Sequence, residues 1–401
     1  MLRPAHFVWS DHTWAGIPRH DLVVYELHVG TFTPEGTFEA IIPRLPALRT
    51  LGVTALELMP IAQFAGTRNW GYDGVYPYAP QQSYGSPYGL QRLVDACHAQ
   101  HLALLLDVVY NHYGPEGCYV HEFGPYFTAR YHTPWGRAIN YDDRGSDAVR
   151  ACVLDNVRMW REDYHVDGLR LDAVHAIFDA SPRHILRDIQ DIATTITQRL
   201  GRPLHVVAES DLNDVRLLLP PERGGYGLTA QWSDDFHHTV HAYLTGERQG
   251  YYSDYGRVQD FPTLFEETFV LTGGYSRHRD RCHGAPIGGL PGDRFVVCLQ
   301  NHDQIGNRAQ GERLGTLLSP PAQRLAASLL LLAPHLPLLF MREEYGEEQP
   351  FLFFCSFGDA DLVEAVRRGR HAEFEAFHAD GGVIPDPQAE ATFAASCLTW
   401  R

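Results

Sequence analysis

The 401-residue chain contains no lysine: all 33 of its basic side chains are arginine. A P-loop lysine, a Schiff-base lysine and pyridoxal-phosphate chemistry are therefore excluded. Positive charge is also short overall. Against 49 acidic residues the formal net charge is −16. That balance argues against nucleic acid or an anionic membrane as partner, since both are held by clustered cations. The longest apolar run, Leu325 to Ala333, is broken by Ser328 and stopped by Pro334, far short of a membrane span. Met1 to His6 lacks the apolar core of a signal peptide. Cysteine is scarce and scattered, seven residues with no CxxC pair, which reads as reduced thiols. A cytoplasmic protein is expected. With 44% hydrophobic and 20% charged residues, the composition is that of a globular chain.

What is present is a recurring unit: a short apolar run, a polar loop, then apolar residues at helical spacing. The runs are Val23–Val29, Val53–Leu58, Leu102–Val109, Val166–Asp172, Leu204–Ala208, a weaker Leu228–Trp232, Phe295–Leu299 and Leu336–Phe340. Helical patterns fall on Phe38 to Leu48, Leu90–His101, Val149–Tyr164, Ile185–Leu200 and Pro321–Ala333. Strands apolar on both faces are those of a buried parallel sheet. Eight alternating units favour an α/β fold of the closed (β/α)8 TIM-barrel type over an open sheet, and no Gly-rich dinucleotide fingerprint follows the first strand. The expected organisation is one catalytic barrel over residues 1–401, with 111–147 a loop-rich inserted subdomain after the third strand.

Acids stand at the ends of these strands. Asp107 ends the third, Asp172 the fourth and Glu209 the fifth, while Asp303 lies just past the seventh. In a barrel those ends meet on one rim, where catalytic groups collect. Alternation puts Arg170 and Asp172 on one face, so the guanidinium would keep Asp172 ionised. Glu209, preceded by Val206-Val207-Ala208, has apolar company that would raise its pKa toward that of a proton donor. A single strand-end acid is as often a cap or ion-pair partner. Four on one rim, beside His112, Arg170 and His302, favour function. Two carboxylates of opposite tendency suit cleavage of a glycosidic bond, and Trp70 and Tyr72 supply aromatic faces on the loop after the second strand. His237 and His241 have the i, i+4 spacing of zinc ligands, but His238 stands where the Glu of HExxH would be. A solvated or substrate-facing helix start is the better reading of that segment.

Four segments carry a resemblance: Asp107-Val108-Val109-Tyr110-Asn111-His112, Gly168-Leu169-Arg170-Leu171-Asp172, the Glu209 strand end, and Asn301-His302-Asp303. In order and placement they look like the four signature segments of the α-amylase superfamily, glycoside hydrolase family 13. Within it, the chain resembles the maltooligosyltrehalose trehalohydrolases over nearly its whole length. Tyr25 to Phe32, Asn69 to Tyr76, Ala230 to His238, Phe351 to Phe354 and Asp361 to Arg367 carry that closer match.

The resemblance implies Asp172 as nucleophile, Glu209 as general acid/base and Asp303 as transition-state stabiliser. It implies Asp107, His112, Arg170, His302 and Tyr72 around the sugar whose bond breaks. Trp232, Asp234 and Asp235 are candidate contacts for the trehalose end. The implied reaction releases trehalose from maltooligosyltrehalose by retaining double displacement, without metal or cofactor. A maltooligosyltrehalose synthase would be the pathway partner. Two departures carry expectations. The flanking β-domains of the family are expected to be absent or truncated. Arg342 follows Met341 where the family reads Gly, which is costly if that position takes φ > 0. The alternatives are a glycogen-branching or debranching enzyme of the same family, or a catalytically inactive carbohydrate-binding homologue.

Overall fold

In the computed structural model, which describes residues 7–375 and 384–400, the eight apolar runs pair in chain order and close on themselves. The strands are β1 (Val24–Leu27), β2 (Ala55–Leu58), β3 (Ala103–Val108) and β4 (Gly168–Leu171). They continue with β5 (His205–Ala208), β6 (Ala230–Trp232), β7 (Phe295–Cys298) and β8 (Leu336–Phe340). Every ladder is parallel, and Val24 of β1 lies opposite Leu338 of β8, completing the barrel. Met1 to His6, read above as lacking a leader, lie outside the described residues.

Side-chain alternation divides the core in two. Val24, Ala55, Ala103, Leu105, Val207, Ala230, Val296 and Leu338 fill the lumen. Leu56, Leu104, Leu106, Leu169 and Val206 point outward into a second apolar layer. That layer is shared with α2 (Pro87–Ala99), α3 (Ser146–Glu162) and α4 (Ile185–Leu200), after the shorter α1 (Leu45–Leu51). Each fully buried Leu or Ile there contributes about 1.5–3 kcal/mol relative to exposure. The lumen is tight enough to dictate a glycine. A Cβ on Gly168 would sit 2.9 Å from Leu105 Cγ and 3.2 Å from the backbone oxygen of His205.

Helices α5 (Asp234–Thr245), α6 (Pro320–Leu331) and α7 (Ala360–Glu375) complete the series. The alternation has one gap. Between β5 and β6 the described residues form only the short 3-10 turns Val215–Leu217 and Pro221–Arg223. That stretch carries Pro220, Pro221 and a Gly pair, which do not sustain an α-helix. Residues 111–147 contain an antiparallel ribbon, Phe127–Thr133 with Gly136–Ile139, whose turn presents Trp135.

The far end of the barrel is pinned by buried charge. His98 bonds Asp11 at 2.9 Å and Asp167 at 2.8 Å, and Trp14 Nε1 donates to Asp167 at 2.9 Å. Burial works against charge on His98, but Asp167 and Asp11 outweigh it and raise its pKa.

Candidate active site

Asp107 on β3 and Arg170 on β4 are cross-strand partners in the ladder, so both reach inward at the same height. Arg170 is fully buried. Its Nη1 donates to Asp107 Oδ2 and to Asp172 Oδ1, both at 2.8 Å, and its Nη2 lies 3.7 Å from Glu209 Oε2. One guanidinium thus ties together the acids that end β3, β4 and β5. Its carbon sits 4.4 Å over the Trp232 ring, a cation–π contact strengthened by the absence of water.

Burial shifts two of these acids in the same direction. Burial pushes Asp107 up to about 7, a rise that Arg170 opposes and Asp172 reinforces. Burial also raises Glu209, again against Arg170 and with help from Asp172 and Asp303. That agrees with the direction expected from its apolar strand.

Asp172 is held on both oxygens. Oδ2 accepts from Asn111 Nδ2 at 2.7 Å, and the same amide donates to the Asp172 carbonyl at 2.8 Å. Glu209 Oε2 accepts the backbone N–H of Ala173 at 2.5 Å. Ala173 has φ +40°, so the turn after β4 takes a left-handed conformation to aim that donor. Next to Asn111, His112 donates from Nε2 to the Tyr72 carbonyl at 2.9 Å and stacks on Trp135 at 4.4 Å. Burial lowers the His112 pKa, favouring the neutral ring.

A second chain of contacts enters from β1. Glu26 accepts the backbone N–H of His302 at 3.2 Å and is bonded to His302 Nδ1. His302 Nε2 lies 2.7 Å from the Tyr72 hydroxyl, which donates to Asp107 Oδ2 at 2.6 Å. Burial disfavours a charged His302, yet Glu26 and Asp303 prevail and raise it to about 9. The imidazolium then donates from both nitrogens, fixing Tyr72 as donor to Asp107.

Asp303, its side chain 47% exposed, lies 3.6 Å from His302 and opens onto a cavity of about 380 Å³. Asp234, at the start of α5, lines the same cavity. Burial, then Glu209, Asp303 and Asp211, push Asp234 up to about 8.

The structure therefore brings Tyr72, Asp107, His112, Arg170, Asp172, Glu209 and His302 to one mouth, with Asp303 and Asp234 at its edge. Three expected contacts stand elsewhere. Trp70 is 4% exposed, donates to the Leu352 carbonyl at 2.9 Å and stacks on Phe351. Trp232 is equally buried and forms the floor under Arg170. Asp235 accepts from Tyr255, Asn213 and the backbone of Val270 and Leu271. Its carboxylate, expected at the trehalose end, is hydrogen-bonded on both oxygens within the protein.

The α5 histidines are also buried rather than solvated: His237 bonds the Leu299 carbonyl and Tyr252, and His241 bonds Glu247. Sequence reading missed Glu26 and assigned no role to Asn111. An acid two residues past Val24, in an apolar strand, carries the same signal that picks out Arg170.

Comparison with known proteins places this geometry. The alpha-amylase catalytic-domain family model matches residues 3–132. The malto-oligosyltrehalose trehalohydrolase of Saccharolobus solfataricus is 52% identical over 395 residues, covering 98% of this chain and 68% of the relative. The chain belongs to the malto-oligosyltrehalose trehalohydrolase family. The counterpart from Rhizobium sp. strain M-11 is 48% identical, with 99% of this chain and 67% of the relative covered. A crystal structure described as a candidate alpha amylase from Salmonella typhimurium superposes with a TM-score of 0.92 at 44% identity. It covers all of this chain and 68% of that one. Family membership accords with the expected TIM barrel and with the four ordered segments at its rim. None of the described helices is long and apolar enough to cross a membrane.

Proposed function

We propose that this chain hydrolyses the α-1,4-glucosidic bond next to the terminal trehalose unit of a maltooligosyltrehalose, giving trehalose and a shortened maltooligosaccharide. Asp172 is the nucleophile: Arg170 and Asn111 hold one oxygen each and aim the carboxylate. Glu209, raised by burial, protonates the departing glycosidic oxygen. Asp172 then carries the glycosyl group as an ester. Glu209, now a base, takes a proton from water, whose oxygen displaces Asp172 and restores the starting charges. Asp303 faces the cationic sugar carbon that develops between these steps. Asp107, Tyr72, His112 and His302 grip the hydroxyls of that sugar, and Asp234 meets the leaving unit.

The observation that carries this reading is one buried guanidinium joined to three strand-end acids, two of which have their pKa raised. Identity of 52% to a curated trehalohydrolase supports the substrate. Residues 1–401 act as one catalytic barrel, with 111–147 an inserted subdomain that presents Trp135 beside the mouth. The enzyme works in the cytoplasm, a placement supported by seven unpaired cysteines, and takes its substrate from a maltooligosyltrehalose synthase. The test is product identification on maltooligosyltrehalose, maltooligosaccharide and glycogen. Free trehalose is expected from the first alone, with Glu209→Gln slower by roughly a thousandfold or more. Absence of trehalose from the wild-type reaction would overturn the reading.

A further inference from the structure

The cavity beside Asp303 and Asp234 has the scale of a small-ligand pocket and runs on to Glu247, Arg308 and Glu312. Several of its charges are paired within the protein. Arg308 clasps Glu247 through two bonds of 3.0 and 3.1 Å, His241 bonds the same carboxylate at 2.9 Å, and Arg279 reaches Asp211 at 2.9 Å. Among the uncharged side chains that line it, His238 stands out. His238, four residues along α5 from Asp234, is only 7% exposed, and its Nδ1 is buried with no hydrogen-bond partner. Its ring is fixed against Tyr251 at 4.5 Å and Tyr255 at 5.0 Å.

The buried Nδ1 is sealed from the cavity, whereas Nε2 keeps accessible surface and has no partner among the described residues, so Nε2 is the ring nitrogen that can meet a ligand there. Burial and the neighbouring Arg279 guanidinium hold the His238 pKa down to about 3. The ring is therefore neutral at working pH, and its Nε2 can donate to or accept from a sugar hydroxyl, which has both functions.

We propose that His238 is a specificity-determining residue for the leaving disaccharide, hydrogen-bonding one of its hydroxyls inside this cavity with Tyr251 alongside. The proposal rests on the hydrolysis set out above, so its test is kept separate from turnover. Trehalose binding is measured by calorimetry on the wild-type chain, H238F and H238A, with melting temperatures to establish that each variant is folded. H238F keeps a flat ring and removes both nitrogens; H238A serves if H238F does not fold. The folded variant should bind trehalose roughly tenfold to a hundredfold more weakly. KM for maltooligosyltrehalose should rise in step while kcat changes by less than about threefold. Equal trehalose binding by wild type and variant, or none by wild type, would overturn the assignment. Trehalose binding without turnover would leave it standing and sink the hydrolytic reading instead.

Discussion

Glu26 and His302 are 276 residues apart in sequence and share a buried ion pair at the mouth of the barrel. The carboxylate takes both the backbone N–H and the Nδ1–H of the histidine, so it sets the charge of the ring as well as its position. His302 is raised to about 9 in the folded chain against an ordinary 6.5. Its ion pair is therefore fully present below pH 6.5 and is lost as pH rises toward 9.

Glu26→Gln tests this relation. The alkaline limb of the pH–rate profile should move down toward the ordinary imidazole value, and the variant's melting temperature should lose its fall between pH 6.5 and 9. An alkaline limb unmoved by the substitution would show that His302 does not govern it.

Arg170 is the joint on which three acids depend. Arg170→Met leaves Asp107 and Asp172 buried without their cation, and a loss of about 3–5 kcal/mol is expected in urea unfolding. Arg170→Lys keeps the charge but not the planar fork that donates to two carboxylates. It should unfold between wild type and Arg170→Met, with kcat reduced at least roughly tenfold. Near-wild-type kcat in the lysine variant would mean that positive charge alone suffices.

Arg342 occupies the position flagged in the sequence, and it does take φ +67°. Its guanidinium is stacked 3.9 Å over Tyr345 and 4.0 Å over Trp400, which Arg44 also covers at 4.0 Å. Left-handed backbone costs a non-glycine residue about 1–2 kcal/mol, while each such stack returns about 0.5–1 kcal/mol. Arg342→Gly removes both effects and should leave stability within about 1 kcal/mol of wild type. Arg342→Ala keeps the strain and loses the stacks, so it should be the least stable of the three. Thermal unfolding of the set gives the order, and an alanine variant as stable as glycine would remove backbone strain as the cause.

The barrel was legible because buried parallel strands are uniformly apolar and recur between helical patterns. Their edges were not: Val23 and Val29 read as strand, whereas β1 spans Val24–Leu27 and a helical turn begins at Val29. Asp107, Arg170 and Asp172 were visible because a charge inside such a run stands out against its neighbours. Residue type does not reveal which way a ring faces: Trp70 and Trp232, expected as sugar contacts, lie buried against His302 and Arg170. Asp235 was indistinguishable from Asp234 in the sequence. A single step along the helix, about 100° around its axis, separates a carboxylate in the cavity from one saturated by Asn213, Tyr255 and two backbone amides.

Asp107, Asp172, Glu209, Asp303 and Asp234 crowd the mouth and the adjoining cavity, with Arg170 already engaged by the first two. Burial raises Asp107, Glu209 and Asp234, so near neutral pH the crowd stores protons in place of part of its negative charge. A positively charged sugar mimic docking there expels those protons, and its grip tightens as they leave with rising pH.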